Sequence, residues 1–266
     1  MVRSYVQVLI INYFLIKSNK MNINKAVRNL FVSEKFYLKI RRRQKIKYEK
    51  NYHGVVVDPD GKKRNLLKER KFKLKQFKYI LSYLKKQKPG KLLDVGCGHG
   101  WLMSALNNKW NKYGIDVSNF ASKSASKYGK IFIGDLKNFK GKKFDFITAL
   151  HIIEHHPKPE RLIKKIYKIL KPGGTLILET PDFDSAAARR FGNNFRMLKD
   201  KTHISLFSQD SLIRFIRHNK FKVFQINYPY FDTPFFNKKN LLKIFNQKKI
   251  SPPFYGSVIT IFCKKI

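Results

Sequence analysis

The chain has 266 residues, 43% of them hydrophobic, which is enough for one complete α/β core with a modest appendage. It contains only two cysteines, Cys97 and Cys263. This excludes a disulfide framework and a cysteine-based zinc ribbon, and it favours a reducing, cytoplasmic setting. Lysine and arginine number 57 against 17 acidic residues, so the formal net charge is +40.

Half of the net positive charge lies in the first third of the chain, where residues 1–90 hold 25 basic and 5 acidic side chains. A field of this sign attracts anionic membrane surfaces, nucleotide-linked or lipid-linked acceptors, and nucleic acids. A basic surface that is merely solvated is the alternative. Nucleic acid is the least favoured partner, because the sequence shows no RNA-binding module and no zinc finger.

An apolar segment, residues 5–16, follows Arg3 at the start of the chain. It is shorter than the roughly 20 residues that span a bilayer, and no small-residue cleavage site follows it. Two interpretations stay open for residues 1–20: a weak membrane-surface anchor, or a leader before a true start at Met21. We expect residues 1–64 to form a basic N-terminal extension and residues 65–266 to form the main domain.

The regular elements begin at Asn65, where apolar residues recur at helical spacing with lysines between them. This pattern predicts one helix over residues 65–86 that packs on a sheet and covers its ligand-binding edge. Strands and helices then alternate, which indicates a parallel sheet covered on both faces. We predict strands at 91–95, 112–116, 130–133, 143–149, 174–179, 222–228 and 256–264, and helices at 100–108, 118–128, 159–170 and 209–219.

The segment KLLDVGCGHGWLMSAL, residues 91–106, leads a buried strand into a glycine-rich loop. Glycines accept positive φ angles and let a ligand approach the backbone. The spacing is GxGxG rather than the GxGxxG of dinucleotide sites, and Asp94 stands at the strand end. A carboxylate there would repel a pyrophosphate, whereas it suits the ammonium and the adjacent sulfonium of S-adenosylmethionine.

Two further acids follow the next two predicted strands. Asp116 could accept both hydroxyls of a ribose, a role that would fit NAD equally well. Asp135 could accept from the amino group of an adenine. A single loop acid is often only a helix cap, but three acids after successive strands favour S-adenosylmethionine as the cofactor.

The segments LLDVGCGHG, YGIDVS, GDL, FDFITALHIIEHHPKP and LKPGGTLIL, within residues 65–221, resemble the class I S-adenosylmethionine-dependent methyltransferases. They are most similar to the branch with ubiquinone-biosynthesis O-methyltransferases and surface-polysaccharide methyltransferases. The resemblance implies a doubly wound α/β fold with a seven-stranded sheet of order 3-2-1-4-5-7-6, strand seven antiparallel. It implies these cofactor-binding residues: Asp94, Gly96, Cys97, Gly98 and Gly100 at the methionine end, Asp116 and Val117 at the ribose, Asp135 and Leu136 at the adenine, and Leu150 beside the methyl donor.

On the acceptor side, His151, Glu154 and His155 are spaced i, i+3, i+4, so they would share one face of an α-helix. Such a face could bind a metal or simply be a polar helix start. Some similar quinone methyltransferases use this trio for magnesium, with a carboxylate where His151 stands. Histidine is a poor magnesium ligand, so we expect no metal. Glu179 follows the fifth strand at the same edge.

We expect the catalytic residues to be His155, His203 and His151, with His155 as a general base or a substrate-orienting donor. One imidazole near its unperturbed pKa of about 6.5 would suffice to deprotonate an attacking hydroxyl. In similar enzymes a histidine placed like His203, shortly before a Phe-Ser pair, lies over the acceptor pocket. The alternative for His203 is packing within a loop.

The aromatic and proline-rich segment 229–255 joins the last two strands. It is similar to tails of methyltransferases in cell-surface saccharide pathways, and aromatic faces with basic neighbours suit sugars and their phosphates. A plain insertion over the sheet edge is the alternative.

The leading hypothesis is therefore O-methylation of a saccharide or saccharide-linked intermediate of surface glycan synthesis. A quinone-type O-methyltransferase and an RNA-binding or RNA-modifying methyltransferase are the alternatives. The expected partner is a small-molecule, glycan or lipid-linked acceptor. We expect a cytoplasmic protein, with peripheral attachment to the inner membrane face as an open option.

Overall fold

A computed structural model describes residues 23–32, 35–41, 50–58, 61 and 63–266. The apolar segment 5–16 and the rest of residues 1–20 lie outside this range. Among the described residues, no helix has the length and apolar character needed to cross a membrane. Short elements precede the main sheet: α1 Ile23–Arg28, β1 Leu38–Lys39, α2 Lys50–His53, β2 Val55–Val57, β3 Lys63–Asn65, α3 Arg70–Gln76 and α4 Lys78–Lys85.

The main domain follows with a seven-stranded sheet in the order β6-β5-β4-β7-β8-β11-β10. Strand β11 runs antiparallel to both of its neighbours. This confirms the predicted order 3-2-1-4-5-7-6 and its antiparallel strand. The elements are β4 Lys91–Val95, β5 Asn111–Asp116, α5 Asn119–Ala125, β6 Lys130–Ile133, β7 Phe144–Leu150, α6 Pro159–Ile169, β8 Leu170–Pro181, α7 Ala186–Phe191, α8 Arg196–Lys199, β9 Ser205–Leu206, α9 Gln209–His218, β10 Phe221–Asn227, α10 Lys238–Lys243 and β11 Val258–Lys265.

Both faces of the sheet are buried, as predicted. Leu93 of β4 packs in a cluster with α6 and α9, where Ile163 is completely buried. Its neighbour Leu92 points to the other face and packs against α4, where Leu84 is completely buried. Successive residues of one strand therefore enter different cores, which explains why the neighbours Leu92 and Leu93 are both apolar.

The single helix predicted over residues 65–86 is wrong. Asn65 ends β3 and caps a 3-10 turn, Leu66–Lys68, and the remainder divides into α3 and α4 at Phe77. The division lets each half meet a different partner. Phe72 of α3 packs edge-on against Phe235, with ring centroids 5.1 Å apart, whereas α4 faces the sheet core.

The helix predicted over residues 100–108 is also wrong, since only a 3-10 turn, Met103–Ala105, forms there. The guanidinium of Arg70 donates to Oγ of Ser104 at 3.0 Å and to its backbone carbonyl at 3.2 Å. Arg70 lies on a different helix from this turn, so the local periodicity does not reveal the contact.

Part of the N-terminal extension packs on the main domain. Val27 and Leu30 are buried in a cluster that includes Phe183, and β1 pairs antiparallel with β9. The guanidinium of Arg41 donates to the backbone carbonyls of Leu198 and Asp200. The described parts of the extension thus support the loop that follows α8.

Gly100 should be sensitive to substitution because its loop packs closely on α5. Its φ is +74°, and an added Cβ would lie 3.0 Å from both Cα and Cβ of Ala125. Gly173 also has a positive φ, +66°, but an added Cβ there would meet no atom within 4 Å. Gly100→Ala should therefore destabilise the protein by about 1–3 kcal/mol more than Gly173→Ala, as overpacking does. Urea unfolding measures this difference, and equal losses would contradict the close packing.

Candidate active site

The predicted cofactor acids lie at one edge of the sheet, where the parallel strands β4, β5 and β6 end. Asp94 is 4% exposed and accepts a hydrogen bond from Oγ1 of Thr148 at 2.6 Å. Burial raises the pKa of Asp94 to about 7; the Thr148 hydrogen bond opposes this, and the charge of Asp116 adds to it. This acid therefore favours a cationic ligand, which would stabilise its ionised form.

Asp116 organises the glycine loop. Its two carboxylate oxygens accept from the N–H groups of Gly98 at 2.8 Å and Ser118 at 2.9 Å. Each oxygen retains a second lone pair, so contact with ribose hydroxyls is compatible with these bonds and stays a prediction. The adjacent Val117 is 53% exposed and offers an apolar surface at this edge.

The glycine loop leaves its backbone accessible beside Asp116. At Gly98, which has φ +49°, an added Cβ would meet only the His53 ring, at 4.0 Å. At Gly96, with φ +72°, it would overlap the side chain of Ile152. Cys97 points inward into a small buried cluster, so its side chain is turned away from a ligand on the loop.

The two adenine candidates have structural roles of their own. Asp135 caps the 3-10 turn Leu136–Phe139 by accepting from the N–H of Lys137 at 2.7 Å, and it forms an ion pair with Lys165 at 2.9 Å. The Leu136 side chain is buried in the main core. The adenine contact of both residues stays a prediction. The predicted place of Leu150 beside the methyl donor also stays a prediction; this residue is partly buried and ends β7.

Comparison with known proteins identifies the family. Residues 66–226, more than half of the chain, match a family model described as a methyltransferase domain. The chain belongs to this family. It is an S-adenosylmethionine-dependent methyltransferase, and its residues fit that cofactor. The buried Asp94 forms no ion pair with any residue that the structure describes, and the backbone at Gly98 is open to a ligand. A solved structure with this fold, from Archaeoglobus fulgidus, is described as a SAM dependent methyltransferase; it is 20% identical, covers 75% of this chain and 98% of its own, and has a TM-score of 0.53.

Relatives match this methyltransferase over limited lengths. An uncharacterized protein of Methanocaldococcus jannaschii is 28% identical over 150 residues, 55% of this chain and 72% of the relative. The ubiquinone biosynthesis O-methyltransferase of Idiomarina loihiensis is 34% identical over 101 residues, 34% of this chain and 42% of that enzyme. The second match thus spans less than half of the relative.

A cavity of about 520 Å³ lies at the ends of β7 and β8, on the side where we predicted the acceptor to bind. Its walls are formed by helix α3, the loop around α8 and the segment 229–255. All three predicted catalytic histidines line this cavity: His151, His155 and His203. The structure thus brings together residues that are up to 52 positions apart in the sequence.

His151 lies between two carboxylates. Its Nδ1 donates to Glu154 at 3.1 Å and its Nε2 donates to Glu179 at 3.2 Å. Burial opposes the charged form, but the bonds to these two acids outweigh it and raise the pKa of His151 to about 10. The ring is therefore a cation at neutral pH and is not available as a general base. Its φ of +55° is uncommon for a residue with a side chain.

Glu154 is completely buried. Its second oxygen accepts from Oγ1 of Thr180 at 2.9 Å. Burial works against ionisation, but the hydrogen bond from His151 and the neighbouring rings of His155 and His203 lower the pKa of Glu154 to about 2. Glu154 is therefore an anion that holds the histidines around it.

The predicted shared face of His151, Glu154 and His155 does not form. Ile153–His155 is a 3-10 turn, and His156 is extended with φ −88° and ψ 124°. The following residue, Pro157, disfavours helical geometry at His156 and so ends the turn.

His155 turns toward His203 instead, with ring centroids 4.9 Å apart. The ligand atoms of Glu154, His155 and His203 lie within 4.8 Å of one another, so these three residues could hold a metal ion. Both oxygens of Glu154 already accept hydrogen bonds. Our expectation that no metal binds here stays a prediction.

The rings of His155 and His203 each use Nδ1 for a hydrogen bond to a backbone carbonyl. Nδ1 of His155 donates to the carbonyl of Thr202 at 3.1 Å, and Nδ1 of His203 donates to that of Met197 at 2.6 Å. In each neutral ring Nε2 is therefore the basic nitrogen. Burial lowers the pKa of His203, an effect that nearby acids only partly offset, so this ring is neutral near pH 7.

Sequence analysis assigned no role to two acceptor-side residues that hold this cluster together. Glu179 lies two residues before the end of β8, and its place near the carboxyl end of a strand was a usable signal because Asp94 is placed in the same way. The role of Thr180 could not be recognised from the sequence, since the residue that it bonds to, Glu154, is on another element.

Asp94→Asn should weaken S-adenosylmethionine binding at least about tenfold, because the amide cannot attract a cation. Binding to the unmodified protein should strengthen from pH 6 to pH 8 as Asp94 ionises, and this rise should be lost in the variant. Calorimetry measures both effects. The control is Asp145→Asn, since Asp145 bonds to Lys91 and Lys171 at the opposite edge of the sheet. An unchanged affinity in Asp94→Asn would place the cofactor elsewhere.

The raised pKa of His151 predicts a pH-dependent stability. Its folded-state pKa of about 10 exceeds the ordinary 6.5, so its stabilisation is complete below pH 6.5 and is lost as the pH rises toward 10. His151→Gln should therefore flatten the decline in the free energy of unfolding between pH 6.5 and 10, measured with urea. His218→Gln, at the end of α9, should retain the decline. Parallel curves for His151→Gln and the unmodified protein would show that the ring is not charged.

Proposed function

We propose that this methyltransferase O-methylates a saccharide or a saccharide-linked intermediate of cell-surface glycan synthesis. The composition of the acceptor cavity is the observation that supports it. Aromatic rings such as Phe72 and Phe235 line the cavity together with the ammonium groups of Lys73 and Lys239. Aromatic faces suit sugar rings, and ammonium groups suit their phosphates.

The segment 229–255 gives the cavity a rigid aromatic wall. Tyr230 is 1% exposed, and its ring packs against Phe231, Phe236 and Phe254 at centroid distances of 5.3, 5.5 and 5.1 Å. These contacts form a small core within the insertion. The wall is therefore ordered by its own packing rather than by a ligand, which supports a preformed acceptor site.

In the proposed reaction, S-adenosylmethionine supplies an electrophilic methyl group on a sulfonium. Asp94 would hold its positive end, and the acceptor hydroxyl would lie in the neighbouring cavity. The Nε2 atom of His155 or His203 would accept the hydroxyl proton as the oxygen attacks. The cation of His151, fixed by Glu154 and Glu179, would position this pair, and alignment of the reacting atoms would supply most of the acceleration.

A quinone-type O-methyltransferase is the second candidate, because relatives with that activity in their names match part of the chain. The quinone profile of a deletion strain tests it. Loss of a methylated quinone would support this candidate and contradict the saccharide proposal. An unchanged quinone profile would exclude the quinone-type activity. Genes for glycosyltransferases beside this one would support the first candidate.

His155→Ala should slow methyl transfer by about 100-fold or more, since general-base catalysis contributes at least that much. Transfer of labelled methyl groups to a panel of nucleotide-linked and lipid-linked saccharides measures it. S-adenosylmethionine affinity should stay unchanged, and His218→Ala should keep full activity. Transfer to nitrogen, or to no sugar in the panel, would contradict the proposed function.

The proposed acceptor also bears on where the enzyme acts, because it would lie at a membrane surface. Lipid-linked saccharides are anionic and lie at a membrane surface, and a net charge of +40 would attract the enzyme to both. Peripheral attachment to the inner membrane face is therefore part of this proposal.

A further inference from the structure

Polar atoms in the cavity wall lack partners. Tyr230, Ser257 and Gln76 are among the residues that line the cavity. The two hydroxyls and the carboxamide oxygen of these residues are buried and form no hydrogen bond within the described part of the chain. Tyr230 is 1% exposed and Ser257 is 2% exposed. Buried polar groups are almost always hydrogen-bonded in native proteins, so three exceptions in one cavity point to a ligand.

These three residues come from separate elements. Gln76 ends α3, Tyr230 begins the segment 229–255, and Ser257 directly precedes β11. One badly packed loop would leave its own groups unpaired, but it would not bring groups from three elements to the same cavity. The convergence is therefore a property of the site.

Lys73 lies on the same wall, three residues before Gln76 on α3, and residues at this spacing share a helix face. Its ammonium forms no hydrogen bond or close ion pair with the residues that the structure describes. Arg64, by contrast, is bonded to both Asp58 and Glu69.

Burial and the charge of Arg64 lower the pKa of Lys73, and the nearby carboxylates only partly oppose this. The negative charge of an anion bound in the cavity would stabilise the ammonium of Lys73, which these carboxylates do only in part.

The donor and acceptor types describe the ligand. The ammonium of Lys73 only donates, and an anionic oxygen is its strongest acceptor. The oxygen of Gln76 only accepts, so it needs a donor such as a hydroxyl. The hydroxyls of Tyr230 and Ser257 can do both. A ligand that satisfies all four carries several hydroxyls and a negative charge.

We propose that this wall is the subsite for a phosphorylated sugar, in which Lys73 binds the phosphate while Tyr230, Ser257 and Gln76 bind the sugar hydroxyls. This deepens the proposed function and rests on it. The phosphate would belong to a nucleotide-linked or a lipid-linked sugar, which share this chemistry. A quinone ring would leave most of the four groups unpaired.

The first test is calorimetry of the full chain with α-D-glucose 1-phosphate and with glucose, in the presence of S-adenosylhomocysteine. The phosphorylated sugar should bind saturably and glucose much more weakly. Lys73→Met should weaken glucose 1-phosphate binding at least tenfold without changing S-adenosylhomocysteine affinity. Lys75→Met is the matched control on the same helix, because Lys75 is exposed and outside the cavity.

The second test separates binding from structure. Tyr230→Phe and Ser257→Ala each remove a buried hydroxyl without a partner, so the melting temperature should stay the same or rise. Binding of glucose 1-phosphate should nevertheless weaken several-fold. A merely structural hydroxyl would give the opposite pattern. Tyr255→Phe, on the same segment but outside this cavity, should change neither quantity.

Two outcomes would overturn the subsite: no saturable binding of glucose 1-phosphate, or equal affinity in the unmodified protein and in Lys73→Met. Where glucose 1-phosphate does bind, the affinities of UDP-glucose and of a polyprenyl-phosphate sugar distinguish a nucleotide-linked from a lipid-linked phosphate. Binding that depends on Lys73 without any sugar methylation would contradict the proposed function and leave the subsite intact. Methylation of a phosphorylated sugar at an unchanged rate in Lys73→Met would contradict the subsite and leave the proposed function intact.

Discussion

The acceptor side of this methyltransferase depends on one completely buried carboxylate, Glu154. A charge without solvent is costly unless it is paired and hydrogen-bonded, and Glu154 satisfies this with His151 and Thr180. Its backbone carbonyl also accepts from the N–H of Ile204 at 2.7 Å. Through these bonds one residue joins the ends of β7 and β8 to the loop that carries His203.

Asp94 on the cofactor side and Lys73 in the cavity are ionisable groups of opposite charge, and burial disfavours the charged form of each. Burial raises the pKa of Asp94 on the cofactor side, whereas burial lowers that of Lys73 on the acceptor side. A ligand of opposite charge would stabilise each group: the cationic methyl donor at Asp94 and, under the proposed function, an anionic acceptor at Lys73. Desolvation would then favour a different ligand charge at each position.

Elements outside the central sheet complete both halves. The ring of His99, in the glycine loop, lies 2.6 Å from Oγ of Ser124 on α5 and 2.7 Å from the carbonyl of His53 on α2. The N-terminal extension thus contacts the cofactor loop directly, and through Arg41 it also supports the loop beside the acceptor cavity. The segment 229–255 provides the remaining wall.

The sequence by itself determined most of the strands, the α/β class and the edge of the sheet where the predicted cofactor acids lie. Those features follow from local patterns: apolar strands, a GxGxG loop, and acids at strand ends such as Asp94 and Asp116. The strand order was implied by the resemblance to class I methyltransferases, and the structure confirms it. Pro157 was also a local signal, and it accounts for the 3-10 turn that replaced the predicted helical face. The tertiary structure decided the rest, because it depends on contacts between distant segments. Arg70 bonds to Ser104 from a separate helix, and His151 becomes a cation only between Glu154 and Glu179. No spacing in the sequence encodes such contacts, since burial and pairing arise only when the elements pack together.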